Sequence, residues 1–436
     1  MPRSLIQRMR HDRYVLLLTY ADYRRALGGL ERYMREETQL LDKGGFSAVC
    51  LFPFTTRRSR WLDRHLSGYW GVTVDGAVAG FYDEIALENL IVAWGRAGKR
   101  PVEIQLHNLR NLNLDRVRRF LCQMPLPVRL FLHDYATVCP KSSLLRNGEQ
   151  FCGREPPSAA KCTGCVSWTP DHHRRIRAVL ESVRERLQVV APSRAARHVW
   201  LGTFPDFEDR VEIIPHLQTA GSRPNVYSPR PPAAAIRLAF LGAAGRHKGW
   251  EVFRRLAARA AAEKWPYDFL HLGWVRDPVP GIRNIPVSVV QDGPDAMIRA
   301  LRLADIDIVF LWSLCPETYS YVLQECLLTN AMLVTNPDSG NIADTVMDRK
   351  AGRVFAGPAE LEKYLGDVPL VRRDVDSYRS RPATLPDRLV PNDAILAALD
   401  GTADFVLPAG TGRARPNRLA GFLYGLKELK SRAGQP

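Results

Sequence analysis

The chain has no uninterrupted apolar run approaching the ~20 residues that a bilayer-crossing helix requires, and Val15-Leu16-Leu17-Leu18 is too short for the apolar part of a secretory signal. These absences favour a cytoplasmic protein. No stretch repeats another, although two similar folds need not share sequence. Neither aromatic platforms nor a recognised reading module stands among the basic residues, so nucleic acid is an unlikely partner. Carboxylates are also in short supply: 46 Asp and Glu face 61 Lys and Arg, for a net charge of +15. That excess suits an anionic partner such as a membrane surface. Its clusters lie at Arg57-Arg58-Ser59-Arg60, at Arg116 to Arg119, and at His172-His173-Arg174-Arg175-Ile176-Arg177.

What is present is enough for two ordinary domains. At 436 residues and 46% hydrophobic content, the chain can bury two full cores, and a charged fraction of 25% argues against wholesale disorder. Apolar runs near Tyr14–Thr19, Ser47–Phe52, Val102–Leu106, Val128–Leu132 and Gln188–Ala191 alternate with helical patterns. With no hairpin run among them, they predict a parallel, doubly wound sheet whose working edge is formed by the loops after the strands. The prolines between Gln218 and Ala235 predict an irregular linker. The Arg- and Pro-rich run from Gly366 to Pro386 is expected to be irregular as well. A closing helix, Asn417–Ser431, carries Leu419, Phe422, Leu423, Leu426 and Leu429 at helical spacing.

Most of the chemistry is concentrated in Trp312-Ser313-Leu314-Cys315-Pro316-Glu317-Thr318-Tyr319-Ser320-Tyr321-Val322-Leu323-Gln324-Glu325. A buried strand, Ile306–Leu311, leads into it, and a helix is expected from about Thr318 to Thr329. Glu317 would then stand at the helix mouth, where unpaired N–H groups favour phosphate. Glu325 would lie two turns deeper on a largely apolar helix, where an ionised carboxylate needs hydroxyls or cations around it. A ribose diol supplies hydroxyls, although two solvent-facing glutamates explain the spacing equally well. Upstream, Ile236–Leu241 runs through Gly242-Ala243-Ala244-Gly245 into Arg246-His247-Lys248-Gly249; downstream lies Met332-Leu333-Val334-Thr335-Asn336-Pro337-Asp338-Ser339-Gly340-Asn341.

From Ile236 to Leu365 this pattern resembles the nucleotide-sugar domain of retaining glycosyltransferases of the GT-B type, glycosyltransferase family four. The resemblance implies two Rossmann-like domains facing each other across a cleft. The first, residues 1–216, would serve the acceptor and carry a Cys-rich insertion at 138–168. A linker at 217–235, a nucleotide-sugar domain at 236–412 and a helix at 413–436 returning to the first domain would follow. It further implies that Glu317 contacts the transferred sugar, Glu325 the ribose and Lys248 the diphosphate, with Arg246 as a weaker second cation. Where many relatives have Gly-Phe-Gly, this chain has Thr318-Tyr319-Ser320, which would line the sugar site. Gly28-Gly29, before a helix at Leu30–Leu41, occupies the place of a glycine pair beside donor and acceptor, though it could be a helix-entry turn alone. Histidines at two strand ends, His107 and His133, would approach the transferred sugar, and Asp134 could act on the acceptor or cap its own loop.

Cys139, Cys152, Cys162 and Cys165 follow His133 with 12, 9 and 2 residues between successive members. In a cytoplasmic chain, four thiolates suit a tetrahedral structural zinc better than disulfides do, while free thiols or an iron–sulfur cluster remain alternatives. A subset of bacterial family members carries a similar series. The resulting expectation is transfer of a sugar from a UDP- or GDP-sugar to a glycan or glycolipid in cell-surface polysaccharide synthesis, without a catalytic metal. Two alternatives are a GT-B protein that binds glycan without turnover and a basic zinc-containing nucleic-acid-binding protein.

Overall fold

The computed structural model describes residues 8–25, 28–54, 66, 68–110, 112–153, 155–275, 277–289, 291–397, 399 and 414–433, with side chains of the last stretch described as far as residue 425. The basic cluster at Arg57-Arg58-Ser59-Arg60 and the side chains of Leu426 and Leu429 lie outside the described residues.

The first domain is built on eight strands: β1 (Arg13–Leu18), β2 (Phe46–Pro53), β3 (Trp70–Val74), β4 (Ala77–Tyr82), β5 (Arg100–Leu106), β6 (Val128–Phe131), β7 (Leu187–Ala191) and β8 (Val211–Ile213). They lie in the order β8-β7-β6-β5-β1-β2-β3-β4. The six-strand part is parallel; five of its strands are the apolar runs, and the sixth, β8, pairs with β7 at the edge. The expectation of no hairpin is corrected: β3 and β4 form an antiparallel hairpin at the sheet edge. Its turn is Asp75-Gly76, both with positive φ, the pair of conformations a two-residue turn between twisted strands requires. Apolar clusters cover both faces of the sheet, one around Leu16, Trp94, Leu121 and Trp200, the other around Val15, Met34, Phe52 and Phe131.

The second domain has a six-stranded parallel sheet: β9 (Ile236–Leu241), β10 (Tyr267–Leu272), β11 (Ile282–Ile285), β12 (Ile308–Phe310), β13 (Met332–Thr335) and β14 (Gly352–Val354), ordered β11-β10-β9-β12-β13-β14. It too is packed on both faces, around Phe240, Phe253 and Phe310 and around Leu241, Leu270 and Leu323. The architecture is α/β, two Rossmann-like domains in the GT-B arrangement. In each sheet the strand order reverses beside its first strand, between β5 and β1 in one domain and between β9 and β12 in the other. A doubly wound sheet opens a crevice at such a point.

Three connections differ from expectation. The proline-rich linker is partly regular, because Leu217–Ala220 pairs with Arg388–Pro391 and Arg223–Pro224 with Thr384–Leu385, both antiparallel. The run after Gly366 contains a 13-residue helix, Val368–Ser380, started by the Asp367 side chain accepting from Leu370 N. Pro369 is tolerated there because the first turn has no need of its missing N–H. The chain re-enters the first domain by residue 394, ahead of the 413 expected: Ile395 and Leu399 join that domain's core, and Arg129 donates to Ile395 O. The closing helix, Arg418–Ala433, lies on the first sheet through Ala420, Leu423 and Tyr424, and Asn417 N donates to Phe81 O. Leu419 and Phe422, expected on its buried face, are exposed.

Among the described residues no helix is long and apolar enough to cross a membrane. The two basic clusters that are described do not make an open cationic face. Arg116 and Arg119 meet Glu84, Arg174 meets Asp171, Arg175 meets Asp115 and Arg177 meets Asp206.

Candidate active site

The two crevices face each other and enclose a cleft of about 430 Å³. Its first wall comes from strand ends β1, β5 and β6 and from the helix α1 (Gly29–Lys43): Tyr20, Gly29, Glu31, Asn108, Arg110, His133 and Asp134. Its second wall comes from the ends of β9 and β12 and the segment after them: Gly242, Lys248, Ser313, Glu317, Thr318, Tyr319, Ser320 and Tyr321.

Lys248 and Glu317 are the charged centre of the second wall. Lys248 Nζ is 2.6 Å from Glu317 Oε1, and Ser313 Oγ donates to the same oxygen at 2.9 Å. Two glycines make this pairing possible. Gly249 adopts φ +84°, and a Cβ there would sit 2.3 Å from Trp312 O, so only glycine lets the lysine turn pack on the strand end. Gly340, φ +64°, lies against the backbone of Glu317 and bridges to it as a short parallel ladder. Glu317 is therefore not at a helix mouth as expected. The helix α2 (Tyr321–Cys326) starts only after Ser320, whose Oγ accepts from Leu323 N. Pro316 and the bridge to Gly340 hold Glu317 in an extended loop instead.

The three residues after Glu317 line the cleft, but their polar groups are already engaged. Thr318 Oγ1 donates to His133 O across the cleft at 2.6 Å, Tyr319 OH accepts from Leu217 N, and Ser320 caps the helix. Glu325 is not in the cleft wall. It is buried between the domains, where Arg32 donates to it at 2.8 Å; Arg32 also meets Glu36 at 2.9 Å and stacks on the Tyr321 ring at 4.3 Å. Burial pushes the Glu325 carboxyl above its ordinary pKa, with Arg32 opposing the shift, and Glu36 is raised for the same reasons.

Arg246 is exposed and pairs at 3.0 Å with Glu149 of the Cys-rich insertion, outside the cleft. Gly29 lines the cleft against Tyr321, whereas Gly28 stands behind it, where a Cβ would meet the Glu31 carboxylate at 2.5 Å. His133 lines the cleft and His107 lies behind it, with His107 Nδ1 and His133 Nε2 3.1 Å apart. Burial, then His216 and His107, holds His133 well below the usual imidazole pKa, so the ring is neutral. Burial also raises Asp134, which accepts from Asn108 and from Ala136 N. It thus serves its own loop, one of the two roles expected for it.

The four insertion cysteines line a separate cavity of about 200 Å³. Among the described residues, however, no group of three or more His, Cys, Asp or Glu side chains is placed to hold a metal ion. The zinc expectation does not fit this geometry, and none of the four cysteines is in a disulfide. The insertion is ordered by hydrogen bonds from Cys139 N to Tyr135 O, from Cys152 N to Leu144 O and from Cys165 N to Cys162 O, with a short pairing of Leu145–Arg146 on Gln150–Phe151.

Sequence reasoning missed Tyr20, Glu31, Arg110 and Ser313 in the walls, and Arg32 behind them. Ser313 was legible, four residues before Glu317 in the same loop. Arg32 was not, since its partner is 293 residues away.

No protein-family model matches the chain, and no curated protein matches it in sequence. Solved structures do match in fold. Sucrose-phosphate synthase from Thermosynechococcus elongatus is 12% identical at a TM-score of 0.50, covering 97% of this chain and 100% of its own. The GtfA/B complex is 9% identical at a TM-score of 0.50, covering 88% of this chain and 98% of its own.

Proposed function

We propose that the protein is a retaining glycosyltransferase that moves a sugar from a UDP- or GDP-sugar onto a hydroxyl of a glycan or lipid-linked glycan, in the synthesis of cell-surface polysaccharide. The observation that carries this reading is the Lys248–Glu317 pair at 2.6 Å, set where the crevices of two Rossmann-like sheets face each other. A departing nucleoside diphosphate gains negative charge, and Lys248 with the loop N–H groups around it is placed to stabilise that charge. Glu317, on the sugar side of the lysine, is assigned to the transferred ring. His133, Thr318, Tyr319 and Ser320 would surround that ring, and Tyr20, Asn108 and Arg110 would meet the acceptor. Glu325 is assigned to the ribose once Arg32 withdraws. Same-face displacement assisted by the leaving phosphate is the expected route. The fold shared with a sucrose-phosphate synthase is consistent with a nucleotide-sugar donor.

The net charge of +15 supports work at an anionic membrane surface on the cytoplasmic side, and sedimentation with anionic against neutral vesicles at low salt tests that part. A second reading, glycan binding without turnover, is favoured by one observation: the hydroxyls of Thr318, Tyr319 and Ser320 are already engaged in the protein's own bonds. A thermal-shift panel of UDP, GDP, ADP and their sugars identifies the donor, because a true ligand stabilises the fold by mass action. Hydrolysis or transfer of that donor by the wild type, lost in Glu317→Gln, supports the enzyme. Binding without turnover in both proteins supports the second reading.

A further inference from the structure

Glu37 is a carboxylate buried in the first domain, with its side chain fully enclosed. An enclosed carboxylate is costly unless its oxygens find donors. Among the described residues neither an arginine nor a lysine pairs with it. The nearby guanidinium of Arg129 is committed to Glu103 and to the carbonyl of Ile395. Glu37 meets instead Tyr33, whose OH donates to Oε1 at 3.3 Å, and His107, whose Nε2 is 3.0 Å from Oε2. That second contact is within hydrogen-bond distance but off-angle, and neither of the two buried atoms has any other hydrogen-bond partner among the described residues. The opposite nitrogen of His107 is 3.1 Å from Nε2 of His133, and His133 is a residue of the cleft wall. Carboxylate, imidazole and imidazole thus form a line from the core of the domain to the cleft wall.

We infer that Glu37 is a positioning residue: through His107 it fixes where the proton sits on His133, so that His133 offers the bound sugar a hydrogen-bond acceptor. The chain of protons follows from the chemistry of the groups. With the Glu37 carboxylate as the acceptor, His107 carries its proton on Nε2 and offers it to Glu37. His107 Nδ1 then has a lone pair and must accept from His133, which places the His133 proton on Nε2. His133 Nδ1 is left with a lone pair, ready to accept from a sugar hydroxyl. The packing keeps the rings in this register, because His133 is held against Tyr33 on one side and His216 on another, with ring centroids 4.7 and 5.1 Å away. No residue of this line is charged at the cleft end, so the line sets a direction of hydrogen bonding without placing a formal charge beside the transferred ring.

The inference rests on the donor-sugar reading of the cleft, and the experiment separates the two. Long-range nitrogen–proton spectra of the full-length protein report the tautomer of each histidine. In the wild type, His107 and His133 are both expected as the Nε2–H form; a wild type with His133 as the Nδ1–H form overturns the inference, whatever any variant does. In Glu37→Met the acceptor is gone, and a buried N–H with no partner is costly, so His107 shifts its proton to Nδ1 and His133 follows. Unchanged tautomers in the folded Glu37→Met protein overturn the inference. Calorimetric titration then compares UDP with UDP-glucose and GDP with GDP-mannose. In Glu37→Met the affinity for the sugar-bearing member of the pair that binds falls about tenfold while the free diphosphate is held as before, the loss expected for one hydrogen bond. Equal loss of both overturns the positioning role. A wild type that binds none of the four overturns the nucleotide-sugar reading alone, since the imidazole spectra still decide the proton line.

Discussion

Arg32, on the first helix of one domain, donates to Glu325, on the helix after the Glu317 loop of the other, at 2.8 Å and out of contact with the cleft. The pair is buried on the Glu325 side and rests on Tyr321, so it is both an interdomain tie and an obstacle to any ligand of Glu325. Removing one partner of a buried pair leaves the other uncompensated, at about 3–5 kcal/mol. Arg32→Ala is therefore expected to lower the denaturation midpoint of the wild type clearly. Arg32→Met with Glu325→Leu is expected to recover the part of that loss that belongs to Glu325, with Glu36 still lacking its arginine. Chemical denaturation of the three proteins gives the answer; equal destabilisation by the single and double variants contradicts a direct pairing.

Lys248 is more exposed, and its pair with Glu317 adds little to stability for that reason. Lys248→Ala should leave thermal unfolding nearly unchanged. Its effect belongs to binding: a charge-assisted contact to a diphosphate contributes about 1.5–3 kcal/mol, so nucleotide affinity should fall roughly tenfold or more. Titration calorimetry against the wild type measures it, and intact nucleotide affinity in Lys248→Ala removes the lysine from the site.

Gly249 should tolerate no side chain. Its positive φ strains any other residue, and a Cβ would strike a backbone oxygen of Trp312 that has no room to move. Gly249→Ala is expected to destabilise by about 1–3 kcal/mol and to weaken nucleotide binding together with it. Retained nucleotide affinity in a destabilised Gly249→Ala would uncouple the turn from Lys248.

His216 lies buried between Tyr33 and Tyr319, and burial lowers its pKa to about 3. The unfolded chain takes up a proton on this residue near pH 6.5, whereas the folded chain does so only near 3. Its contribution is therefore fully present above pH 6.5 and is lost progressively as the pH falls towards 3. His133, lowered in the same direction, adds to the slope. Each pH unit in this window costs up to about 1.4 kcal/mol per such group. Denaturation at several pH values should show stability falling from 6.5 downward, less steeply in His216→Phe; parallel slopes in the two proteins count against a neutral buried imidazole.

The insertion thiols give a further check. Cys139, Cys152, Cys162 and Cys165 are half-buried around one cavity and Cys122 is exposed, while Cys50, Cys315 and Cys326 are buried. A thiol reagent at neutral pH should modify the first five before the last three, with or without a chelator. Protection of the four insertion thiols that a chelator removes would restore a bound metal.

Most parallel strands of the first domain, and Ile236–Leu241, Ile308–Phe310 and Met332–Thr335 of the second, were legible because they are short apolar runs; Tyr267–Leu272, Ile282–Ile285 and Gly352–Val354, interrupted by polar residues, were not. The edge hairpin is written in Asp75-Gly76 between Val72-Thr73-Val74 and Ala77-Val78-Ala79, a local hairpin signal outweighed by the helix–strand alternation of the rest of the domain. The helix at Val368–Ser380 was hidden by its arginines: Val371 and Val375 reach the core, but Arg379 is buried beside them, paired with Asp305 and Asp307, which local spacing does not reveal. In the site, loop residues near the strand ends could be read from local spacing, and Lys248, Glu317 and His133 do meet at one cleft. Glu325 could not be placed, because what it binds in this structure is set by Arg32 in another domain, and sequence spacing carries no information about such a distant partner.

The ribbon made by Leu217–Ala220 and Arg388–Pro391 means that the halves of the molecule are joined by two covalent passages laid side by side and stitched by their own amides. A single tether would permit swivelling in every direction. A paired one bends readily about the axis across both strands and resists twist, so any relative movement of the halves should keep their alignment, with Lys248 and His133 on opposite sides of one gap.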